Sequence, residues 1–155
     1  CWTVPAFRPP RACAGHPCRA PPAPPAPSEP MPAAPLPADL DAAVARGDAR
    51  RFCELILPAV SRTFAIGIRA LPGELGRAVL VAYLICRIAD TVEDAPGIEP
   101  DHKGALLDEL LTCFDGQPAA DAYPAHCHAI TGEPAHLALV RHADLVFAHF
   151  FTLPP

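Results

Sequence analysis

Residues 80–96, LVAYLICRIADTVEDAP, join a strongly apolar segment to a cluster of acids. The apolar residues predict a helix that is buried over most of its surface. Asp90, Glu93 and Asp94 fall in its last turns, where like charges repel each other and meet the negative end of the helix dipole. Each of these unfavourable terms is about 0.3–1 kcal/mol. A bound divalent cation would reverse the sign of both, so the pattern indicates a cation site.

One stripe of this predicted helix joins the acids to an aromatic and a cationic residue. Tyr83, Arg87, Asp90 and Asp94 recur at spacings of four, three and four residues. An ion pair between Arg87 and Asp90, beside a solvated helix end, also explains this pattern. A buried guanidinium, however, needs a partner or a ligand for its charge. Because the candidate ligands are carboxylates without paired His or Cys, the sequence favours Mg²⁺.

A second candidate segment, SRTFA at residues 61–65, precedes the long helix. Arg62 and Ser61 are suited to hold a phosphate oxygen, because guanidinium matches phosphate with two parallel hydrogen bonds. Phe64 would then face the apolar side of the same cavity. On spacing alone, a surface arginine that follows a serine is the more common explanation of this segment.

The rest of the chain shows helical spacing and no alternation of period two, so we expect an all-α fold. Helices are predicted over residues 39–47, 49–57, 60–71, 74–93, 101–114 and 134–151. Asp39 and Asp48 are the predicted N-caps of the first two helices. Pro58 predicts a kink or a restart of the helix. Residues 116–124 are predicted to be a loop.

Composition restricts the classes of partner and compartment. The net charge of -5 argues against a nucleic-acid partner. No apolar run reaches the roughly 18 residues that a transmembrane helix needs, so no transmembrane segment is predicted. The seven cysteines form no framework of pairs, which favours a reducing, cytoplasmic location. Cys86 is predicted to pack as a small hydrophobe inside the long helix.

Histidines in the C-terminal part raise the question of zinc. No HxxxH or CxxC motif completes a set of ligands. We therefore predict that the five histidines lie on helix surfaces or in loops: His126, His128, His136, His142 and His149.

Proline dominates the start of the chain, with thirteen of the 22 prolines within residues 1–37. This density predicts a disordered or polyproline II segment over residues 1–38. Residue 1 is Cys, and the only methionine is Met31. One hypothesis is that translation begins at Met31 and that residues 1–30 are upstream sequence. A transit peptide and a PxxP ligand are the alternatives.

The motifs together resemble a known enzyme family. SRTFA, then LP, then YLxxRxxDTxED occur in the order seen in the N-terminal part of the squalene/phytoene synthase family. The resemblance runs from about residue 51 to the end and is strongest over residues 52–96. It implies an all-α, partial isoprenoid-synthase-type helical bundle over residues 39–155. The DTVED form and Val60 resemble the squalene synthase branch, and a carotenoid-type or hydroxysqualene-forming synthase is the alternative.

The resemblance implies a role for each residue that matches the family motifs. It implies Mg²⁺ binding by three carboxylates: Asp90, Glu93 and Asp94. It implies contacts with the diphosphate or the prenyl chain for five residues: Ser61, Arg62, Phe64, Tyr83 and Arg87. The residues that it places closest to the chemistry are Asp90, Asp94, Arg87 and Tyr83.

The implied reaction joins two farnesyl diphosphates head to head through presqualene diphosphate to squalene, with NADPH as reductant in the squalene branch. An apolar product implies peripheral contact with a membrane. Family members carry a second acidic motif, and nothing in residues 97–155 matches it. We therefore expect this chain to be an N-terminal portion that is inactive by itself. From another class, a non-enzymatic helical remnant is the alternative.

Overall fold

A computed structural model describes residues 36–154 of the chain. All regular elements in this range are helical, which confirms the all-α prediction. The α-helices are α1 (Leu40–Ala45), α2 (Ala49–Val60), α3 (Arg62–Arg69), α4 (Gly73–Asp94), α5 (Pro100–Thr112), α6 (Gln117–His126), α7 (Pro134–Arg141) and α8 (Ala143–Phe150). Two short 3-10 turns follow α5 and α6. The predictions for residues 1–35 concern a segment outside the described residues.

Helix α4 is the centre of the bundle and contacts α2, α3, α5, α7 and α8. Its inward face repeats almost every four residues, as a helix of 3.6 residues per turn requires. That face consists of Leu80, Val81, Leu84, Ile88 and Val92. Burial of each such side chain contributes about 1.5–3 kcal/mol. The opposite face, which includes the predicted core residue Cys86, is exposed. The prediction that Cys86 is packed inside is wrong because α4 is covered on one side only.

A tight turn leads into α4 and depends on two glycines. Gly73 begins the helix with φ of 51°, a left-handed conformation that favours glycine. One turn later, a Cβ on Gly76 would lie 2.7 Å from the carbonyl oxygen of Leu71. The backbone at Leu71 therefore approaches α4 more closely than a side chain at position 76 would allow.

The boundary between α2 and α3 differs from the prediction. Helix α2 continues through Pro58, and the break falls three residues later at Ser61, which is extended (φ -163°, ψ 109°). Buried Leu57 and Val60 flank the proline and hold the helical backbone through their packing. Asp48 caps α2 as predicted, by accepting a hydrogen bond from the Arg51 N–H at 3.0 Å. The Asp39 side chain makes no such cap hydrogen bond to α1.

Two further predictions of secondary structure are wrong. Residues 116–124, predicted as a loop, belong mostly to α6. Pro118 lies in its first turn, where proline needs no N–H, and buried Tyr123 fixes the helix against the core. The single helix predicted over residues 134–151 is two helices with a break at His142 (φ -125°, ψ 35°).

The C-terminal histidines occupy three kinds of environment. His126 and His128 are exposed, as predicted. The prediction is wrong for His149, which is 2% exposed and whose Nε2 has no hydrogen-bond partner among the described residues. Burial lowers the pKa of His149 below its ordinary value. His142 packs edge-on against a buried phenylalanine ring at 5.6 Å between centroids, and His136 is half-buried.

No helix within residues 36–154 combines the length and the apolarity that crossing a membrane requires.

Candidate active site

The predicted carboxylates lie at the C-terminal end of α4, and all three are exposed. The Asp90 carboxylate is 3.6 Å from Arg87 Nη1, so the ion pair named as the alternative explanation of this pattern is present. The ammonium of Lys103, on α5, donates a hydrogen bond to the carbonyl oxygen of Glu93. This cation offsets part of the negative charge at the end of the helix.

The three carboxylates do not form a preassembled metal cage. Within residues 36–154, no three side chains of His, Cys, Asp or Glu come together as a metal-ligand cluster. Magnesium differs from zinc in this respect, because it keeps several waters and takes one or two carboxylates together with substrate phosphates. Exposed, acceptor-only oxygens on consecutive turns of α4 fit that mode of binding.

Arg87 is the best-anchored charged residue of the candidate site. Its side chain is 30% exposed, and its Nη2 lies 3.1 Å from the Nε2 of His136 on α7. Its Nε is buried without a hydrogen-bond partner among the described residues. An unsatisfied buried donor costs about 1–3 kcal/mol, and such groups in folded proteins call for an explanation.

A cleft of about 170 Å³ opens between the end of α4 and the loop that precedes α7. Arg87 and Asp94 line one wall, and Thr131, Glu133 and His136 line the other. A cation and a carboxylate of the predicted stripe therefore share one cavity. Its volume suits a small polar group rather than a long apolar chain.

An aromatic pair extends the stripe towards the start of α4. The rings of Phe64 on α3 and Tyr83 on α4 are stacked, with centroids 4.9 Å apart and planes inclined by 28°. Phe64 is nevertheless 58% exposed. An apolar ring that is stacked on one side and open on the other offers a surface to an apolar ligand.

The residues of the SRTFA segment lie in different surroundings. The Ser61 hydroxyl caps α3 by accepting a hydrogen bond from the Phe64 N–H at 3.3 Å, so it has a structural role that the sequence did not predict. Arg62 is exposed and forms no ion pair within the described residues. The structure thus brings Phe64 to Tyr83 and Arg87 to Asp90, and Asp94 lines the cleft with Arg87. No hydrogen bond or ion pair links Arg62 to these residues.

The sequence missed two residues of the cleft, His136 and Glu133. His136 was predicted to be a surface or loop histidine, yet its side chain is 18% exposed and contacts Arg87 across 49 residues of chain. Glu133 Oε2 is 3.7 Å from His136 Nδ1. No local pattern signals these contacts, because α7 reaches α4 only through the folded bundle.

Comparison with known proteins gives a consistent picture. The family described as squalene/phytoene synthase matches residues 57–150. The squalene synthase of Solanum lycopersicum is 50% identical over 56 residues, which are 36% of this chain and 14% of that protein. The lycopaoctaene synthase of Botryococcus braunii is 49% identical over 57 residues, 37% of this chain and 13% of that protein.

A longer alignment is found with the squalene synthase of Eremothecium gossypii, 38% identical over 103 residues. It covers 66% of this chain and 22% of that protein. The chain therefore spans only a small part of the length of the curated relatives that it matches. No solved structure matches the chain.

Proposed function

Because the chain belongs to the squalene/phytoene synthase family, we propose that the end of α4 and its cleft bind the diphosphate group of a prenyl diphosphate together with Mg²⁺. One observation carries this proposal: Arg87 and Asp94 line the same small cleft. The guanidinium of Arg87 matches diphosphate oxygens in geometry. The carboxylate of Asp94, one turn after Asp90, can bind a metal ion that also binds the diphosphate.

The charges of the site suit an anion that arrives with its metal. Asp90 and Asp94 would hold Mg²⁺, with Glu93 in support, and Arg87 would donate hydrogen bonds to diphosphate oxygens. The metal would neutralise the negative charge that develops on the departing diphosphate. Arg62, exposed on α3, is a second candidate donor to the same group.

The aromatic pair would receive the beginning of the prenyl chain. Tyr83 precedes Arg87 by four residues, which is about 6 Å along a helix. A ligand whose diphosphate lies at Arg87 can therefore extend its apolar chain along α4 to the open ring of Phe64. The rings of Phe64 and Tyr83 would also shield from water a carbocation formed when the diphosphate leaves.

For the whole protein we propose head-to-head condensation of two farnesyl diphosphates through presqualene diphosphate to squalene, with NADPH as reductant. Two relatives named squalene synthase support squalene as the product. Synthesis of a different product is a second candidate, since a relative of nearly equal identity is named lycopaoctaene synthase. Residues 97–154 contain no second motif of the DxxxD type, so we expect the 155-residue chain by itself to bind a prenyl diphosphate without turning it over.

Calorimetric titration with farnesyl diphosphate tests the proposal on the 155-residue chain. We expect binding in the presence of Mg²⁺ and none in EDTA, because the carboxylates otherwise repel the diphosphate. Farnesol, which lacks the diphosphate, should bind at least tenfold more weakly. The Asp94→Asn variant should weaken Mg²⁺-dependent binding roughly tenfold, about 1.4 kcal/mol.

Asp108→Asn is the matched control, because Asp108 is an exposed carboxylate on α5 away from the cleft lining. Its affinity should equal that of the unmodified chain. Binding of farnesyl diphosphate that is unaffected by EDTA, or equal affinity for farnesol, would contradict the proposal.

A further inference from the structure

We propose that His136 is a positioning residue, whose imidazole holds the Arg87 guanidinium in the orientation that receives a diphosphate oxygen. The inference rests on the function proposed for the cleft and adds to it a residue on another helix. It also gives α7 a part in the site, although the motif that indicates the site lies on α4.

A hydrogen bond between the two side chains requires one particular tautomer of the imidazole. Arg87 Nη2 and His136 Nε2 are 3.1 Å apart. A guanidinium nitrogen can only donate a hydrogen bond, so Nε2 must accept with its lone pair. The imidazole is then neutral, and its single proton is on Nδ1. The nearest carboxylate, Glu133 Oε2, lies 3.7 Å from that Nδ1 and favours the same tautomer.

Arg87 is thereby held at two of its three nitrogens from two helices. His136 accepts from Nη2, and Asp90, on the same helix as Arg87, lies 3.6 Å from Nη1. A free arginine side chain has about 2 kcal/mol of rotamer entropy to lose on binding a ligand. Fixing the guanidinium beforehand removes part of that loss from the binding step.

Metal binding would affect the two partners of Arg87, Asp90 and His136, differently. The Asp90 carboxylate is proposed to turn to Mg²⁺ and would then attract Arg87 less. His136 forms no hydrogen bond or ion pair with Asp90, Glu93 or Asp94, the carboxylates that would hold the metal. The hydrogen bond from Arg87 to His136 therefore keeps Arg87 in place while Asp90 binds the metal.

The neutral imidazole suits this task better than a carboxylate would. A carboxylate at the position of His136 would neutralise the guanidinium, which must keep its charge to attract a diphosphate. An imidazole accepts one hydrogen bond and leaves that charge available. Glu133 lies at the other ring nitrogen of His136, where its side chain is 44% exposed and the effect of its negative charge is screened.

Titration of the 155-residue chain with inorganic diphosphate and Mg²⁺ at about pH 8, where an ordinary histidine is neutral, tests the inference. The His136→Phe variant keeps a ring of similar shape but removes the acceptor, and we expect it to weaken binding roughly tenfold. The His136→Gln variant keeps a neutral acceptor and should restore most of the affinity. A role in packing alone would make Phe the better substitute.

The matched control is His128→Phe, because His128 is exposed, donates a hydrogen bond to the Ala125 carbonyl oxygen and does not line the cleft. Its affinity should not change. Equal binding by the Phe and Gln variants of His136, with affinity like that of the unmodified chain, would overturn the inference and leave the proposed function standing. Absence of Mg²⁺-dependent diphosphate binding by the unmodified chain would instead overturn the proposed function and the inference with it.

A measurement without any substitution gives a second test. Nitrogen-15 NMR of the imidazole distinguishes a protonated nitrogen from one with a free lone pair. We expect His136 to carry its proton on Nδ1, and we expect addition of diphosphate and Mg²⁺ to leave this tautomer unchanged. A proton on Nε2 in the neutral ring is incompatible with acceptance from Arg87 and would refute the inference even if His136→Phe failed to fold.

Discussion

Replacing Asp90 by Asn should separate the role of this carboxylate in the fold from its role in metal binding. Without metal, the substitution removes repulsion from Asp94 and an unfavourable dipole interaction, each about 0.3–1 kcal/mol. It also removes the ion pair with Arg87, in which Asp90 is 55% exposed and the nitrogen–oxygen distance is 3.6 Å. Such a pair contributes about 0–1 kcal/mol. Because these terms oppose each other, the free energy of unfolding should change by less than about 1 kcal/mol.

Magnesium should reveal the difference between the two proteins. At a Mg²⁺ concentration ten times the dissociation constant, the unmodified chain gains about 1.4 kcal/mol of stability from binding. If the Asn side chain weakens the metal tenfold, the same concentration stabilises the variant by only about 0.4 kcal/mol. The expected signature is a small change without metal and a difference of about 1 kcal/mol in the response to metal.

Urea unfolding followed by far-ultraviolet circular dichroism, in the presence of inorganic diphosphate and with and without Mg²⁺, measures both quantities. Asp108→Asn is again the control, and it should respond to Mg²⁺ like the unmodified chain. Equal stabilisation of the Asp90→Asn variant and the unmodified chain by Mg²⁺ would show that the cation does not use this carboxylate. The proposed metal role of Asp90 would then be wrong.

Two further predictions concern the fold. Gly76→Ala should lower the free energy of unfolding by more than about 1 kcal/mol, because the new Cβ would lie 2.7 Å from the Leu71 carbonyl oxygen. Gly104→Ala should instead raise the free energy of unfolding by about 0.5–1 kcal/mol, because Gly104 has open space around it and alanine favours the helix. Equal effects in urea titrations would contradict the close approach. Burial lowers the pKa of His149, so its unfolded form binds a proton more readily and stability should fall as the pH drops below the ordinary value of 6.5. Between pH 7.5 and 5.5, the melting temperature of the His149→Gln variant should decrease less than that of the unmodified chain. Equal decreases in melting temperature would refute this prediction.

Helix positions were predictable wherever one face of a helix is apolar and its end carries a recognisable signal. The long helix α4 is the best example, since Leu84, Ile88 and Val92 repeat every four residues and Pro96 follows its end. Predictions failed where packing overrides a local signal. Pro58 stays helical within the core, and residues 117–126 form a helix that their polar and small residues did not reveal.

The same distinction between local pattern and tertiary packing applies to the candidate site. The stripe of Tyr83, Arg87, Asp90 and Asp94 was readable because it lies within one helix, whose period places its members on one side. The order of SRTFA and DTVED motifs was enough to indicate the family, and the family comparison confirms it. The individual roles of these residues stay predictions for the binding experiments.

The sequence by itself determined that the chain after residue 38 is helical, which face of α4 carries the charges and to which family the chain belongs. Only the tertiary structure decided that Phe64 stacks on Tyr83 and that His136 meets Arg87. The reason is that the period of a helix relates neighbours three or four residues apart, whereas a contact across 49 residues depends on how whole helices pack. That packing is set by many apolar contacts at once, and no short stretch of sequence encodes it.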